Sequence, residues 1–191
     1  MVYEQIENIL GIKFNDSINV LIDQKTKIIN FKANHTLLFE GDLASCLYIM
    51  LSGIVRGYYI DSQGNDITKC FYQKGNIFSH EGLQNNLPSP FTIECLGDSV
   101  CIKIPYDLLH EIMKIDNEIF HEIGKFYKKE VHKLENRNKD LVIKDAEERY
   151  RIFCNEYPDL HKKVPLKYIA SYIGIRIPSL SRIRKKMKNI T

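Results

Sequence analysis

Two short helical patterns separated by a glycine lie near the C-terminal end of the chain. Pro165 stands where a first helical position tolerates a missing N–H, and the apolar face that follows comprises Leu166, Ile169, Ala170 and Ile173. Gly174 can take the left-handed conformation that ends a helix. Pro178 can then open a second helix, with an inner face of Leu180, Ile183 and Met187. Two short helices joined by a tight glycine turn predict a helix-turn-helix.

The charge of the chain is concentrated in the same segment. Residues 161–191 contain nine Lys or Arg and no Asp or Glu, whereas the first 160 residues hold the other 18 basic residues and all 24 acidic ones. A concentrated positive field attracts polyanions and favours binding through the release of condensed counterions. Nucleic acid is therefore the first partner that we expect, and an anionic membrane surface is the second.

The second helix of a helix-turn-helix lies in the major groove, so its polar side chains are the candidate DNA contacts. Arg182 could form a bidentate pair with guanine, and Ser179 could hold a phosphate. The remaining basic residues suit phosphate contacts. The predicted DNA-binding residues are Lys167, Arg176, Ser179, Ser181, Arg182, Arg184, Lys185 and Lys186.

Residues 31–104 have the pattern of short antiparallel strands. Runs rich in Val, Ile, Tyr and Phe alternate with Gly, Asp and Asn at close intervals. The clearest hairpin joins residues 54–60 to 67–72 through a turn at 61–64. We therefore expect a small β-barrel or jelly roll.

A long helix is predicted after the barrel, with Asp116 as its N-cap. A narrow apolar stripe along it most simply packs against a second copy in a homodimer, although a core helix within a monomer stays possible. The predicted interface residues are Ile119, Ile123, Tyr127, Leu134 and Leu141. The polar residues 136–140 could interrupt this helix, and a capping box of Asp145 with Glu148 starts the next one, which suggests a hinge.

This order of elements resembles the Crp/Fnr family of bacterial transcription regulators over nearly the whole chain. The resemblance rests on the stretches 41–42, 48–53, 61–64, 75–78 and 169–183. It implies an α+β fold with a cyclic-nucleotide-binding-like barrel, a long dimerisation helix and a C-terminal helix-turn-helix. The expected divisions are an effector-sensing domain at 1–115, the dimerisation helix and hinge at 116–141, and a DNA-binding domain at 142–191. The implied partners are double-stranded DNA, a second copy of the chain, RNA polymerase and a small effector.

Several positions depart from the pattern of the family. Its cyclic-nucleotide binders carry Gly-Glu and Arg-Ser or Arg-Thr pairs where this chain has Ser79-His80 and Ser89-Pro90. Because no Arg occurs between Arg56 and Arg137, the cassette lacks the guanidinium that a buried cyclic phosphate needs, and we expect weak or no binding of cyclic AMP. The family often has Arg-Glu at Ile177-Pro178, so its usual operator is not assumed. A pocket for another effector would be lined by Phe78, Ser79, His80, Glu81, Leu83, Ser89 and Thr92.

Other function classes are less well supported by the sequence. The five cysteines are scattered and the first is Cys46, which argues against zinc and against the iron–sulfur cluster of the family's oxygen sensors. A cupin-like metalloenzyme would need an H-x-H motif, which is absent. We therefore expect no enzymatic activity, no metal and no cofactor. The alternatives are a ligand-binding barrel module and a cupin-like enzyme, each with a basic tail.

The location of the protein is also predicted from the sequence. No stretch approaches the 18 or so apolar residues that a spanning helix needs. Acidic residues stand near the N-terminus where a signal peptide carries Lys or Arg. We expect a cytoplasmic protein without a membrane partner.

Overall fold

The computed structural model describes residues 1–79 and 88–188, and it describes Lys188 by its backbone alone. The helices are α1 (Val2–Leu10), α2 (Asp16–Lys25), α3 (Tyr106–Ile115), α4 (Asn117–Ile143), α5 (Ala146–Glu156), α6 (Leu160–Lys163), α7 (Leu166–Tyr172) and α8 (Ile177–Lys188). The strands are β1 (Lys27–Phe31), β2 (Thr36–Leu38), β3 (Cys46–Ser52), β4 (Ile54–Ile60), β5 (Asp66–Gln73), β6 (Ile77–Phe78), β7 (Thr92–Cys95) and β8 (Ser99–Pro105). The predicted α+β architecture is confirmed.

The strands form two four-stranded sheets, with orders β1-β8-β3-β6 and β2-β7-β4-β5. Hydrophobic side chains from both sheets meet between them, among them Met50, Val55 and Ile93. The opposite face of the first sheet presents Ile49 and Ile102 to a second core that includes helix residues. Because side chains alternate along a strand, one sheet can serve both cores.

The predicted β-hairpin is formed by β4 and β5. The Asp61 side chain accepts hydrogen bonds from the backbone N–H groups of Gln63 (2.9 Å) and Asn65 (2.8 Å), which fixes the turn. A second corner requires glycine at position 53, where φ is +94° and a Cβ would lie 2.6 Å from the Ser99 Cα. A side chain at Gly53 would therefore clash with the neighbouring strand.

The chain divides into two compact units. The first comprises residues 1–59 and 70–126, and the second comprises residues 60–69 and 127–191. The core of the second unit is aromatic: Phe153 has its ring centroid 5.3 Å from that of Tyr157 and 5.5 Å from that of Tyr172. Ile169 and Leu180 are fully buried.

The long helix α4 runs from Asn117 to Ile143, close to the predicted 116–141. Asp116 precedes it and accepts a 2.8 Å hydrogen bond from the Glu118 N–H, as an N-cap does. The prediction that residues 136–140 interrupt the helix is wrong. The predicted capping box is confirmed, because Asp145 accepts from the Glu148 N–H and the Glu148 side chain accepts from the Asp145 N–H. In the described ranges, no helix has the length and apolar content needed to cross a bilayer.

Candidate nucleic-acid interface

Helices α7 and α8 form the predicted helix-turn-helix. Gly174 has φ +70° in the turn, and the Ile175 N–H donates to the Ala170 carbonyl at 2.9 Å. Ala170, whose small side chain permits close approach of the helices, is 1% exposed. The inner face of α8 includes Leu180, which has no exposed surface.

The outer face of α8 carries one polar stripe. Pro178, Ser181, Arg182 and Lys185 are all exposed, and their spacing of three, one and three residues places them on one side of a helix. Ser179 is half-buried, and its hydroxyl accepts a hydrogen bond of 3.4 Å from the Arg182 guanidinium. The stripe therefore presents two cations and a hydroxyl to the surroundings.

Arg184 does not belong to this stripe, and its role in DNA binding stays a prediction. It is half-buried on the same side of α8 as Leu180, four residues earlier. Burial raises the pKa of Tyr150 to about 12, and the Arg184 charge opposes that rise, which places its guanidinium close to α5. Arg184 is therefore part of the packing between α8 and α5 and not of the exposed polar stripe.

Lys186 is exposed, but its ammonium group already has a partner. Its Nζ lies 2.6 Å from a carboxylate oxygen of Glu147 on α5, and Arg151 reaches the other oxygen at 2.8 Å. The hydrogen bond from Lys186 lowers the pKa of Glu147 below its usual value. A DNA phosphate would have to compete with this carboxylate for Lys186.

The other two predicted contacts lie outside α8. Lys167 is exposed on α7, with its Nζ 4.6 Å from the centre of the Tyr168 ring. Arg176 is exposed in the turn before α8. Both are accessible to a phosphate.

A polar network beneath α7 was not predicted from the sequence. Arg137 donates to the backbone carbonyls of Thr68 (3.2 Å) and Tyr172 (2.9 Å). The Ser171 hydroxyl donates to the Thr68 hydroxyl at 2.8 Å and accepts from the Thr68 N–H at 3.1 Å. Arg149 donates to the Ile173 carbonyl at 2.8 Å. These bonds hold the end of α7 in place. The sequence alone does not indicate the network, because Thr68 is about a hundred positions away from the residues that it contacts.

Helix α4 places the predicted interface residues along one side, but their surroundings differ between its two ends. Ile119 is 4% exposed and belongs to the core of the first unit, and Ile123 packs against the same core. Ile119 is therefore covered by its own unit, and the assignment of Ile123 to a dimer interface stays a prediction. Tyr127, Leu134 and Leu141 continue along the same side with Val131 and Asn138, which are both exposed. The spacing of this second set alternates between four and three residues, as in a coiled-coil seam.

The described members of the predicted effector pocket are engaged within the first unit. Phe78 stacks between Tyr48 and Tyr72, with ring centroids 5.3 and 4.9 Å apart. The Thr92 hydroxyl accepts from the Glu40 N–H at 3.1 Å, and the Ser89 hydroxyl donates to the Phe91 carbonyl at 2.6 Å.

Ser79 hydrogen-bonds to the Tyr106 hydroxyl and the Cys46 carbonyl. His80, Glu81 and Leu83 lie outside the described residues.

The barrel also holds a buried arginine. The Arg56 side chain is 1% exposed and its Nη2 lies 2.7 Å from a carboxylate oxygen of Glu94. Its guanidinium also lies 4.2 Å from the centre of the Tyr58 ring. Arg56 is thus engaged by an acid and an aromatic ring of its own sheet.

The cysteines and the other potential metal ligands are dispersed among the described residues. Among the described residues, no group of three or more His, Cys, Asp or Glu side chains could hold a metal ion. All five cysteines are free; Cys46, Cys95 and Cys101 are buried and the other two are half-buried. Burial raises the pKa of Cys101 to about 12, so its thiol stays protonated and unreactive near neutral pH.

Comparisons with known proteins agree with this geometry. The family model of the cyclic nucleotide-binding domain matches residues 28–116. A fumarate and nitrate reduction regulatory protein from Yersinia pestis is 23% identical over 185 residues, covering 88% of this chain and 70% of the relative. The structure of FixK2 from Bradyrhizobium japonicum matches with a TM-score of 0.75 at 19% identity, covering 86% of this chain and 85% of that one. A structure from Eubacterium rectale, described as a regulator of the Crp/Fnr family, matches with a TM-score of 0.74 at 16% identity over 92% of this chain and 84% of that one.

The relatives named here are regulatory proteins and not enzymes. A cyclic nucleotide-binding domain followed by a long helix and a C-terminal helix-turn-helix is the arrangement that the sequence predicted. The chain carries a cyclic nucleotide-binding domain and resembles the Crp/Fnr family of regulators in sequence and in fold.

Proposed function

We propose that this chain is a homodimeric regulator of transcription that binds duplex DNA in a sequence-specific way through α8. The observation that carries this proposal is the exposed stripe of Pro178, Ser181, Arg182 and Lys185 on the second helix of a helix-turn-helix. No acidic residue occurs from position 161 to the end of the chain, so nothing in that segment repels a phosphate backbone.

The residues of this surface divide into two roles. Arg182, with its forked guanidinium, reads a base edge in the major groove, and Ser181 stands beside it on the same face. Lys167, Arg176 and Lys185 hold phosphates and fix the orientation of the helix. Ser179 orients Arg182 through their hydrogen bond.

The dimer forms through the seam on α4. Val131 is 53% exposed and Leu134 is 37% exposed, and neighbouring exposed apolar residues along one helix face mark an interaction site. Tyr127, Val131, Leu134, Asn138 and Leu141 follow a heptad spacing, with Asn138 as a polar residue that specifies register. Two copies would then read half-sites about one helical turn, or roughly 34 Å, apart.

Two further partners complete the proposal. A regulator that acts on transcription would contact RNA polymerase. A small effector would shift the equilibrium between states of the protein with different affinity for DNA.

Selection from a random duplex library at physiological salt tests the proposal, followed by sequencing of the retained DNA. We expect an enriched inverted repeat for the natural protein. Arg182→Ala should lose the preference at one position of each half-site and cost about 1–3 kcal/mol in affinity. Lys162→Ala is the matched control, since it removes one exposed cation of the same basic segment from a position on α6.

The proposal would be refuted by retention of DNA without any enriched motif. It would also be refuted if Arg182→Ala selected the same motif with the same affinity as the natural protein. Equal losses in Arg182→Ala and Lys162→Ala would mean that the segment supplies charge alone.

A further inference from the structure

A groove in the second unit lies away from the DNA-binding stripe. Its volume is about 730 Å³, and its walls come from α4, α5 and the end of α7. Pockets that bind small ligands are typically about 300–1,000 Å³ in volume. The groove is therefore large enough for a nucleotide-sized molecule.

The rim of the groove is cationic. Five of its lining residues are Lys or Arg, and two, Asp140 and Glu156, are acidic. Lys133 is paired with Glu156 at 2.8 Å. Lys129 and Lys139 are exposed, and neither has an ion pair or side-chain hydrogen bond to another described residue. These two ammonium groups are available to a ligand.

The two lysines are ten residues apart on α4, which corresponds to about 15 Å along the helix axis. A single small anion contacts one of them, whereas an elongated ligand can reach both. The wall also includes the apolar side chain of Ile152, which is 37% exposed. An apolar wall beside exposed cations suits a planar ring that carries phosphate groups.

The groove stays open in the proposed homodimer. Its α4 residues Lys129, Lys133, Asn136 and Asp140 repeat the spacing of the seam residues Tyr127, Val131, Leu134 and Asn138, shifted by two positions. A shift of two residues on an α-helix is a rotation of about 200°. These residues of the groove and the seam therefore occupy opposite sides of α4, and Leu141, at the end of the seam, is a lining residue that the two surfaces share.

We propose that this groove binds a nucleoside polyphosphate, with Lys129 holding the phosphates, Lys139 facing the opposite end of the ligand and the base lying against Ile152. The Asp140 carboxylate accepts hydrogen bonds from the base or the sugar. Such a ligand contacts α4, α5 and Tyr172 at the end of α7 together, directly before the turn that leads to α8. Its binding is therefore coupled to the orientation of the DNA-binding helix, and the coupling is reciprocal.

Fluorescence anisotropy of a methylanthraniloyl-labelled ADP with the full chain tests this site. We expect saturable binding that unlabelled ADP reverses. Lys129→Glu should weaken binding roughly five- to tenfold, because it replaces a phosphate-binding cation by an anion. Lys128→Glu makes the same charge change one position away, outside the groove, and should leave the affinity within about twofold. Both positions are exposed on α4, so neither change disturbs the core.

Arg182→Ala distinguishes this site from the DNA-binding stripe, and it should leave ADP affinity unchanged. Inorganic pyrophosphate and adenosine, each used as a competitor, report the phosphate and the base contacts separately. The inference is overturned if labelled ADP does not bind saturably up to about 1 mM. A Kd above that concentration corresponds to a binding free energy of less than about 4 kcal/mol. It is also overturned if Lys128→Glu matches Lys129→Glu or if Arg182→Ala abolishes binding. DNA selection with the unliganded protein is a separate measurement, so the failure of one proposal is distinguishable from that of the other.

Discussion

The guanidinium of Arg137 lies over the ring of Tyr172, 4.4 Å from its centre, and the same guanidinium donates a 2.9 Å hydrogen bond to the Tyr172 carbonyl. Tyr172 is the last residue of α7, so this pair joins α4 to the first helix of the helix-turn-helix. A second donation, to the Thr68 carbonyl, makes Arg137 the meeting point of three segments.

Arg137→Ala should lower the free energy of unfolding by about 1–3 kcal/mol, since two backbone carbonyls lose a charged donor. Arg137→Lys should recover only part of this loss, because an ammonium group cannot reproduce the planar fork over the ring. Urea unfolding followed by far-ultraviolet circular dichroism measures both variants. Lys128→Ala, an exposed change on the same helix, should be nearly neutral. An Arg137→Ala variant as stable as Lys128→Ala would contradict the structural role.

A different prediction concerns Glu147, which holds Lys186 and Arg151 by ion pairs of 2.6 and 2.8 Å. Glu147→Gln should release Lys186 for a DNA phosphate, so DNA affinity should rise at low salt. The slope of the logarithm of affinity against the logarithm of salt concentration should steepen by up to about 0.9 per added contact. Titration of a duplex at four salt concentrations measures this slope.

Glu148→Gln is the comparison for that measurement, because it removes a neighbouring charge that is not bonded to Lys186. Equal slopes for Glu147→Gln and the natural protein would show that Lys186 stays away from DNA.

The elements of this fold were predictable from local patterns. The capping box at Asp145 and the turn at Gly174 depend on neighbours in sequence, and both are confirmed. The roles of individual charged residues were not predictable from such patterns. In the sequence, Arg184 and Lys186 resemble Arg182. In the structure, Arg184 faces α5, whereas Lys186 pairs with Glu147, 39 positions earlier. A one-dimensional pattern contains no information about that distant carboxylate.

Helix α4 shows a second limit of sequence reasoning. A stripe of apolar residues indicates that a helix face is covered, but not by what. Ile119 and Ile123 are covered by the core of their own unit, whereas Val131 and Leu134 remain exposed farther along the helix. The Arg137 network was missed because a lone arginine in a polar stretch carries no pattern of its own.

The carboxyl groups of Asp145 and Glu147, at the start of α5, should make the stability of the fold depend on pH. The Lys186 hydrogen bond lowers the pKa of Glu147, and the Glu148 N–H lowers the pKa of Asp145. A carboxyl group whose pKa is lower in the folded state stabilises the fold above its unfolded pKa, here 4.5 for Glu147 and 3.8 for Asp145. This contribution is lost as pH falls through the folded values. Stability should therefore decline below about pH 5.

The double variant Asp145→Asn with Glu147→Gln should be less stable than the natural protein at pH 7 and should lose less stability between pH 7 and about pH 3. Urea midpoints at a series of pH values measure the difference. Glu135→Gln changes one exposed carboxylate that has no ion pair within the described chain, and serves as the control. Parallel curves for the double variant and the natural protein would contradict the role of these two acids.

The last prediction concerns the seam on α4. Leu134→Asp introduces a charge at the centre of the proposed interface, where two copies would bring two carboxylates together, and should convert the dimer to a monomer. Asn136→Asp makes a charge change two residues away, on the opposite side of the helix, and should leave the dimer intact. Asn138→Leu should strengthen the dimer, because it removes the polar group from the seam.

Sedimentation velocity at several protein concentrations distinguishes these outcomes, and circular dichroism verifies that each variant is folded. A folded Leu134→Asp protein that sediments as a dimer would place the interface elsewhere. A monomer should also lose the inverted-repeat preference in DNA selection, since a single α8 reads only one half-site. The oligomeric state and the operator symmetry thus test the same seam by independent measurements.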